Sequence, residues 1–342
     1  MRTSGWAWFV RALILAGLGA MLAWWGVQVW GPEHHWLLAA LQYAPYWALL
    51  APLVLIVMLS WTQGWRWRVL ALTALAVLLG PVMGLVLARG DTGEGHVRLM
   101  TYNIKAYLNV VRTGGVGRVA WEVAEHDPDI VVMQDAGEAR AAAVPLPEGT
   151  RKLIGDRQLY ANGQYIVASR LPLRDCGTGL ISYQKEVHTY VHCVVHAYGK
   201  DIDLYTAHLL SPRDGLNALR KKAWLGGEDW ERSVDARLAQ SKTLAEVLSH
   251  RQRPVILAGD LNAPERSMVV QNLVDVGLRD AFSAAGWGYG YTHGHSLRPG
   301  VSINRIDHIL VSDEIGVAHC EVGGAEASDH RPVIADLLIH RD

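Results

Sequence analysis

Pro254-Val-Ile-Leu-Ala-Gly-Asp-Leu-Asn262 is the stretch that decides the fold class of this chain. Pro254–Ala258 is an apolar run short enough to be a buried strand, and Asp260 and Asn262 close it with two polar side chains. Immediately upstream, Asp235–Leu248 has the spacing of an amphipathic helix, so a helix feeds this strand. The same alternation continues outward in both directions. His96–Ile104 reads as a strand ending in T-Y-N-I. Gly114–His126 has helical spacing, with Val116, Val119, Ala120 and Val123 on one face. Asp127-Pro128-Asp129 breaks that helix, and Ile130–Met133 follows as a buried strand. Gly163–Ser169, Thr189–Ala197 and Ile202–Ala207 are further strands, and Arg305–Val311, Gly316–Val322 and Pro332–Ile339 close the chain. Strands outnumber the helices scattered among them. That pattern predicts an α+β fold, with two sheets packed face to face and helices outside.

The polar residues that end these strands are candidates for chemistry. They are Asn103 after V-R-L-M-T-Y, Asp135 after I-V-V-M-Q, and His208 after I-D-L-Y-T-A. Asp260 and Asn262 follow V-I-L-A-G, Asp307 lies within R-I-D-H-I-L, and Asp329-His330 precede R-P-V-I-A-D-L. A strand end holds a side chain rigidly while leaving it open to a cleft. Taken singly, Asp or Asn in such a place is more often a turn former. Taken together, four carboxylates with Asn and His make a hard oxygen-ligand pocket suited to Mg²⁺ or Mn²⁺.

The ordered set T-Y-N-I, Q-D, T-A-H-L, A-G-D-L-N, R-I-D-H-I-L and S-D-H-R-P resembles the endonuclease/exonuclease/phosphatase superfamily. Its members include secreted DNases, AP endonucleases, neutral sphingomyelinases, inositol polyphosphate phosphatases and deadenylases. The resemblance runs from about Val97 to Leu338 and implies a four-layer α/β/β/α sandwich of the DNase I type. It also implies roles. Asn103, Asp135 and Asp329 would bind the divalent metal, Mg²⁺ or Mn²⁺. His330, paired with Asp307, would orient or deprotonate the attacking water. Asp260 and Asn262 would position the nucleophile and the phosphate oxygens, and His208 would hydrogen-bond the phosphate. In-line attack on phosphorus needs these functions whatever the family: a base, a Lewis acid and help for the leaving oxygen. One departure stands out, because the family usually has Glu where this chain has Asp135, one methylene shorter. His208 points to the DNase, sphingomyelinase and phosphatase branches and away from AP endonucleases.

The N-terminal part reads differently. Up to Gly90 the only charged residues are Arg2, Arg11, Glu33, Arg66, Arg68 and Arg89, a net +4, while the remainder of the chain carries −5. Three charge-free runs, about 12–32, 36–60 and 69–88, are each long enough to cross a hydrocarbon core of ~30 Å, and Trp residues cluster near their ends. The expected organisation is therefore a membrane anchor of three transmembrane helices over 1–90, a linker over 91–96 and a catalytic domain over 97–342. Arg2 and Arg11 flank the first run, and Arg66 and Arg68 separate the second from the third. These arginines place the N-terminus in the cytoplasm and, after three spans, the catalytic domain outside.

A multi-pass protein of the cytoplasmic membrane has the lipid bilayer as one partner. Its natural substrate would be phosphorylated and lipid-linked, with nucleic acid behind it, since the acidic domain lacks basic clusters. A catalytically idle binding module ranks third.

Other features carry less. Cys176, Cys193 and Cys320 show no metal-finger spacing and read as three buried thiols, with one disulfide and a spare as the alternative. His188, His192 and His196 share a strand face but are spaced too widely for one metal, at ~13 Å per four residues. His293-Gly294-His295 lies in the loop before Asp307, where it either gates the cleft or is simply solvated. Gly114-Gly115-Val116-Gly117 is a lone glycine-rich turn. Leu216–Leu225 mixes Arg220, Lys221 and Lys222 with apolar residues, and suits either a membrane interface or packing on the domain.

Overall fold

A computed structural model describes residues 5–107, 115–137, 153–181, 183–184, 187–296 and 300–339. The chain forms two compact units, Met1–Val86 and Leu87–Asp342. The N-terminal unit contains helices α1 (Gly5–Trp30), α2 (Trp36–Leu41), α3 (Leu50–Ser60) and α4 (Trp65–Val77). Val10 and Ile14 of α1 pack against Ala71 of α4. Arg11 on α1 donates to Gln63 at 3.1 Å and stacks over Trp67, which satisfies a cation within an apolar helix.

The three spanning helices expected from the charge-free runs are borne out in part. Among the described residues, two helices are long and apolar enough to cross a membrane, Gly5–Trp30 and Trp65–Val82. The middle run, 36–60, is not one helix. It is α2, a turn, a 3₁₀ segment over Tyr46–Leu49, and α3. Pro45 explains the break, because it lacks an N–H and disfavours helical geometry at the residue before it. The apolar helix that remains, Tyr46–Ser60, is about 22 Å long at 1.5 Å per residue, shorter than a ~30 Å hydrocarbon core.

The C-terminal unit is the two-sheet α+β sandwich that the strand pattern predicts. The strands of its two six-stranded sheets are β1 (His96–Asn103), β2 (Ile130–Gln134), β3 (Gln158–Asn162), β4 (Tyr165–Ser169), β5 (Leu173–Leu180) and β6 (Thr189–Ala197). They continue with β7 (Lys200–His208), β8 (Val255–Asp260), β9 (Leu278–Asp280), β10 (Asp307–Ser312), β11 (Ile315–Val322) and β12 (Val333–Ile339). One sheet has the order β11-β12-β1-β2-β4-β3, the other β9-β10-β8-β7-β6-β5. Each is antiparallel except for one central pair, β1 with β2 and β7 with β8. Both faces of those central strands are covered, so β2 and β8 are buried throughout and read as unbroken apolar runs.

Helix α5 (Gly115–His126) covers the first sheet, where Val119 and Val123 meet Met100, Tyr102, Val131 and Met133. After α6 (Arg213–Lys222), the long helix α7 (Gly227–Ser249) covers the second, with Leu244 and Leu248 against Ala207, Leu257 and Leu310. Gly215 of α6 lies tight against Trp230 of α7, and Lys222 pairs with Asp229 at 3.0 Å, so α6 packs on the domain. Between the sheets, Gln134 is fully buried and donates to Thr101 at 3.1 Å and to Thr206 at 3.0 Å, pinning the two layers together near the site.

Gly259 is fixed by the β7–β8 contact. A Cβ there would sit 2.1 Å from the carbonyl oxygen of Ala207, a backbone atom that cannot swing away. Gly259→Ala is expected to destabilise the domain by ~1–3 kcal/mol through overpacking, measured as a lower urea midpoint at unchanged slope.

The three-thiol reading of the cysteines is overturned. Cys176 and Cys193 form a disulfide between neighbouring strands β5 and β6, and Cys320 is free and buried. A register irregularity between Arg174 and Gly177 brings Cys176 opposite Cys193. The three strand-face histidines do not share a site: His192 pairs with Asp203 and His196 with Asp201.

Candidate active site

The topology sends the polar strand ends to one edge of the sandwich. In the parallel pair β1/β2, Asn103 lies opposite Gln134, so Asn103 and Asp135 emerge together. In β7/β8, His208 lies opposite Asp260, and β10 begins with Asp307 facing Asp260 from the other side. Strand β12 pairs with β1, which brings the preceding Asp329-His330 to the same edge. The carboxyl ends of parallel strands are where open α/β sheets commonly present their ligands. Ser328 secures the junction by donating to the Asn103 carbonyl at 2.8 Å.

All eight residues singled out from the sequence meet there. Asn103 Nδ2 donates to Asp260 Oδ2 at 2.8 Å. His330 Nδ1 lies 2.9 Å from Asp307 Oδ2, and its Nε2 lies 3.8 Å from Asp260. His208 sits between Asp135 and Asp260 at 3.5 and 3.4 Å, with Nδ1 2.6 Å from Gln164 Oε1. Asn262 serves its neighbours: its backbone N–H donates to Asp260 Oδ1 and its side-chain amide to the Leu209 carbonyl, both at 2.9 Å. It thereby fixes the loops after β7 and β8 to each other.

Four functional residues escaped the sequence reading or were left open by it. Lys105 reaches Asp135 Oδ2 with its ammonium at 2.5 Å. It lies two residues past Asn103, and nothing in the spacing alone gives its direction. Gln164 and Tyr165 come from β4 and its turn; Tyr165 Oη accepts from the backbone N–H of His208 at 3.0 Å. His293, left open between a gate and a solvated loop, packs against His330 with the rings tilted by 51° and their centroids 4.8 Å apart. The backbone of its loop lies against the His330 segment, with Arg331 N–H donating to the Thr292 carbonyl at 2.8 Å.

The electrostatics divide the histidines. Burial pushes His208 down, and burial with the nearby His330 pushes His293 down to about 4. For His330 burial again opposes the charge, but Asp307 and Asp260 outweigh it and raise the imidazole to about 9. Asp260 is fully buried, yet His330, His208 and Lys105 hold its carboxyl below the usual carboxylate range. Non-glycine residues with left-handed φ recur at this edge: Lys105 at 42°, Asp135 at 51° and Asn262 at 51°. Such conformations persist where surrounding structure enforces them, typically at functional sites.

The donors suit a hard divalent cation on one side of the site. Asp329 is buried and its Oδ1 has no hydrogen-bond partner among the described residues, while Arg213 lies 3.7 Å from its other oxygen. Asp329 with His293 and His330, and Asp260 with Asp307 and His330, are the groups whose ligand atoms approach within 4.8 Å of one another among the described residues. Asn103 and Asp135 are already engaged, by Asp260 and Lys105.

A family model of the endonuclease/exonuclease/phosphatase family matches residues 100–330, which contain every residue of this cleft. The chain belongs to that family. Members of the endonuclease/exonuclease/phosphatase family are phosphoesterases and generally use a divalent metal, in keeping with the carboxylate-rich cleft. Solved structures of family members share the fold. A family protein from Bacteroides vulgatus is 17% identical, with a TM-score of 0.55 over 72% of this chain and 100% of its own. Truncated TDP2 from Caenorhabditis elegans is 21% identical, with a TM-score of 0.54 over 71% of this chain and 97% of its own. A mannosyl-6-phosphatase from Bacteroides thetaiotaomicron is 16% identical, with a TM-score of 0.53 over 71% and 99%. Compared with curated proteins, the sequence finds no significant match.

Proposed function

We propose that this chain is a membrane-anchored, divalent-metal-dependent phosphoesterase cutting a phosphate ester or pyrophosphate bond. Its substrate is a lipid or lipid-linked phosphate at the outer face of the cytoplasmic membrane. The observation that carries the chemistry is the buried His330–Asp307 pair facing Asp260 across 3.8 Å, beside the unpartnered oxygen of Asp329. Water placed between Asp260 and His330 gives its proton to the ionised Asp260 carboxylate as its oxygen attacks phosphorus, with the charged His330 ring orienting it. The bond from phosphorus to the leaving oxygen breaks on the opposite side. Asp307 holds the His330 ring so that Nε2 faces Asp260, and Asn262 and Asn103 hold the Asp260 carboxylate. His208, held by Gln164, lies within reach of the same pocket to hydrogen-bond the phosphate. Asp329 would hold the divalent cation, which when bound would supply Lewis acidity to the phosphate oxygens.

The membrane part of the reading is supported by the two long apolar helices and by the arginines that flank them. For an outward-facing domain, the broken 36–60 segment must complete a third crossing. The Cys176–Cys193 disulfide favours that side, since such bonds persist in oxidising compartments.

The test is hydrolysis by full-length, detergent-purified protein with Mg²⁺ or Mn²⁺, read as phosphate, headgroup or strand-end release from polyprenyl pyrophosphate, phospholipids, sphingomyelin and linear DNA. Hydrolysis of a lipid substrate without DNA cleavage is the expected result. DNA cleavage alone would replace this reading with an extracytoplasmic nuclease, and silence on every substrate would leave an idle binding module.

A further inference from the structure

Lys105 and Asp135 face each other from two loops that are bonded together. Ile104 N–H donates to the Gln134 carbonyl at 3.1 Å and Ala106 N–H to the Asp135 carbonyl at 2.9 Å. Lys105 N–H donates to Asn103 Oδ1 at 3.2 Å. Both residues take left-handed φ, so the backbone presents the two side chains to each other at a conformational cost. The ammonium lies 2.5 Å from Asp135 Oδ2, and the two side chains are 12% and 22% exposed, where water screens the charges little. A glutamate at 135 would carry its carboxylate one methylene further into the cleft. Aspartate keeps it at the loop, beside the lysine. Among the described residues, the carboxylate and imidazole groups close enough to share a cation are drawn from Asp329, Asp260, Asp307, His293 and His330, without Asp135.

We propose that Lys105 is a built-in cation of this site: its ammonium satisfies Asp135 and removes that carboxylate from the ligand set of the divalent ion. The ion is then held from Asp329. This rests on the metal-dependent reading above and assigns Lys105 as the residue that sets the protein's affinity for the ion. A cation competing for Asp135 must displace an ammonium already in contact, so binding is weaker than a free carboxylate would give.

Mn²⁺ binding to the full-length, detergent-purified protein, followed by electron paramagnetic resonance, tests this without any substrate. In the wild-type background Asp135→Asn should change the affinity by less than about threefold, because the carboxylate is already spoken for. Lys105→Met frees it, and should tighten Mn²⁺ by about tenfold or more, within the range found for groups that tune a metal site from outside. Adding Asp135→Asn to Lys105→Met should abolish that gain. A loss of about tenfold on Asp135→Asn with Lys105 present would make Asp135 a direct ligand and overturn the proposal. Unchanged or weaker binding in Lys105→Met would do the same, and the Asp135→Asn measurement stands even if that variant fails to fold. Failure of the phosphoesterase reading shows elsewhere, as silence on the substrate panel with Mn²⁺ still bound. Absence of Mn²⁺ binding in all four proteins would overturn both.

Discussion

Replacing His330 by Gln is expected to lower turnover about a thousandfold, or ~4 kcal/mol of transition-state stabilisation. Glutamine is the informative replacement. His330 is 2% exposed and is the partner of the buried Asp307 carboxylate, so His330→Ala would leave that charge unpaired and mix catalytic loss with unfolding. The glutamine amide can still donate to Asp307 but cannot carry the positive charge that His330 presents to Asp260 and the attacking water. The measurement is steady-state hydrolysis of the best panel substrate, beside a circular dichroism melt of the same preparation. Asp307→Asn should cost a similar factor, and the double variant should be no worse than the poorer single one, because the two residues act as a unit. Turnover within threefold of wild type, at unchanged melting temperature, would remove His330 from the chemistry.

The second large effect is on stability. Arg305 is 4% exposed and makes ion pairs with Asp280 and Glu265, both at 2.5 Å. His308 joins from the next turn of chain, its two ring nitrogens 2.9 Å from Asp280 and from the Ala263 carbonyl. This network lies on either side of Asp307 in sequence and holds the start of β10. Arg305→Met keeps the bulk but strands Asp280 in the interior, and should cost ~3–5 kcal/mol. At about 2–4 °C per kcal/mol for a domain of this size, the melting temperature should fall by about 6–20 °C. Acid should act through the same carboxyl. Burial alone would raise Asp280, but Arg305 and His308 hold it far below the usual range. Its stabilisation is therefore complete above the unfolded-state pKa of ~3.9 and is lost as the pH falls below that value. The melting temperature of the wild type should drop steeply below about pH 4, and Arg305→Met should lose much of that slope. A variant that melts within a degree or two of wild type would show the network to be dispensable.

Much of this could be read along the chain. Runs such as Val97–Asn103, Ile130–Gln134 and Val255–Asp260 announce strands because a buried strand must be apolar on both faces, and a polar residue at its end marks where burial stops. Those ends gave eight residues of the cleft. The apolar helices of the first 90 residues were legible from the lack of charge, but their count was not. Absence of charge measures hydrophobicity, whereas Pro45 decides whether a continuous helix forms. Lys105, Gln164 and His293 were missed or left undecided because they sit on turns and loops, where direction depends on φ and on the segment packed opposite. The disulfide was equally out of reach, since strand register sets which cysteines approach. Local periodicity and strand-end chemistry are properties of the sequence, because they follow from which side chains tolerate burial. Which charges meet, Lys105 with Asp135 or His330 with Asp307, belongs to the tertiary structure, because it depends on distances between segments far apart in the chain.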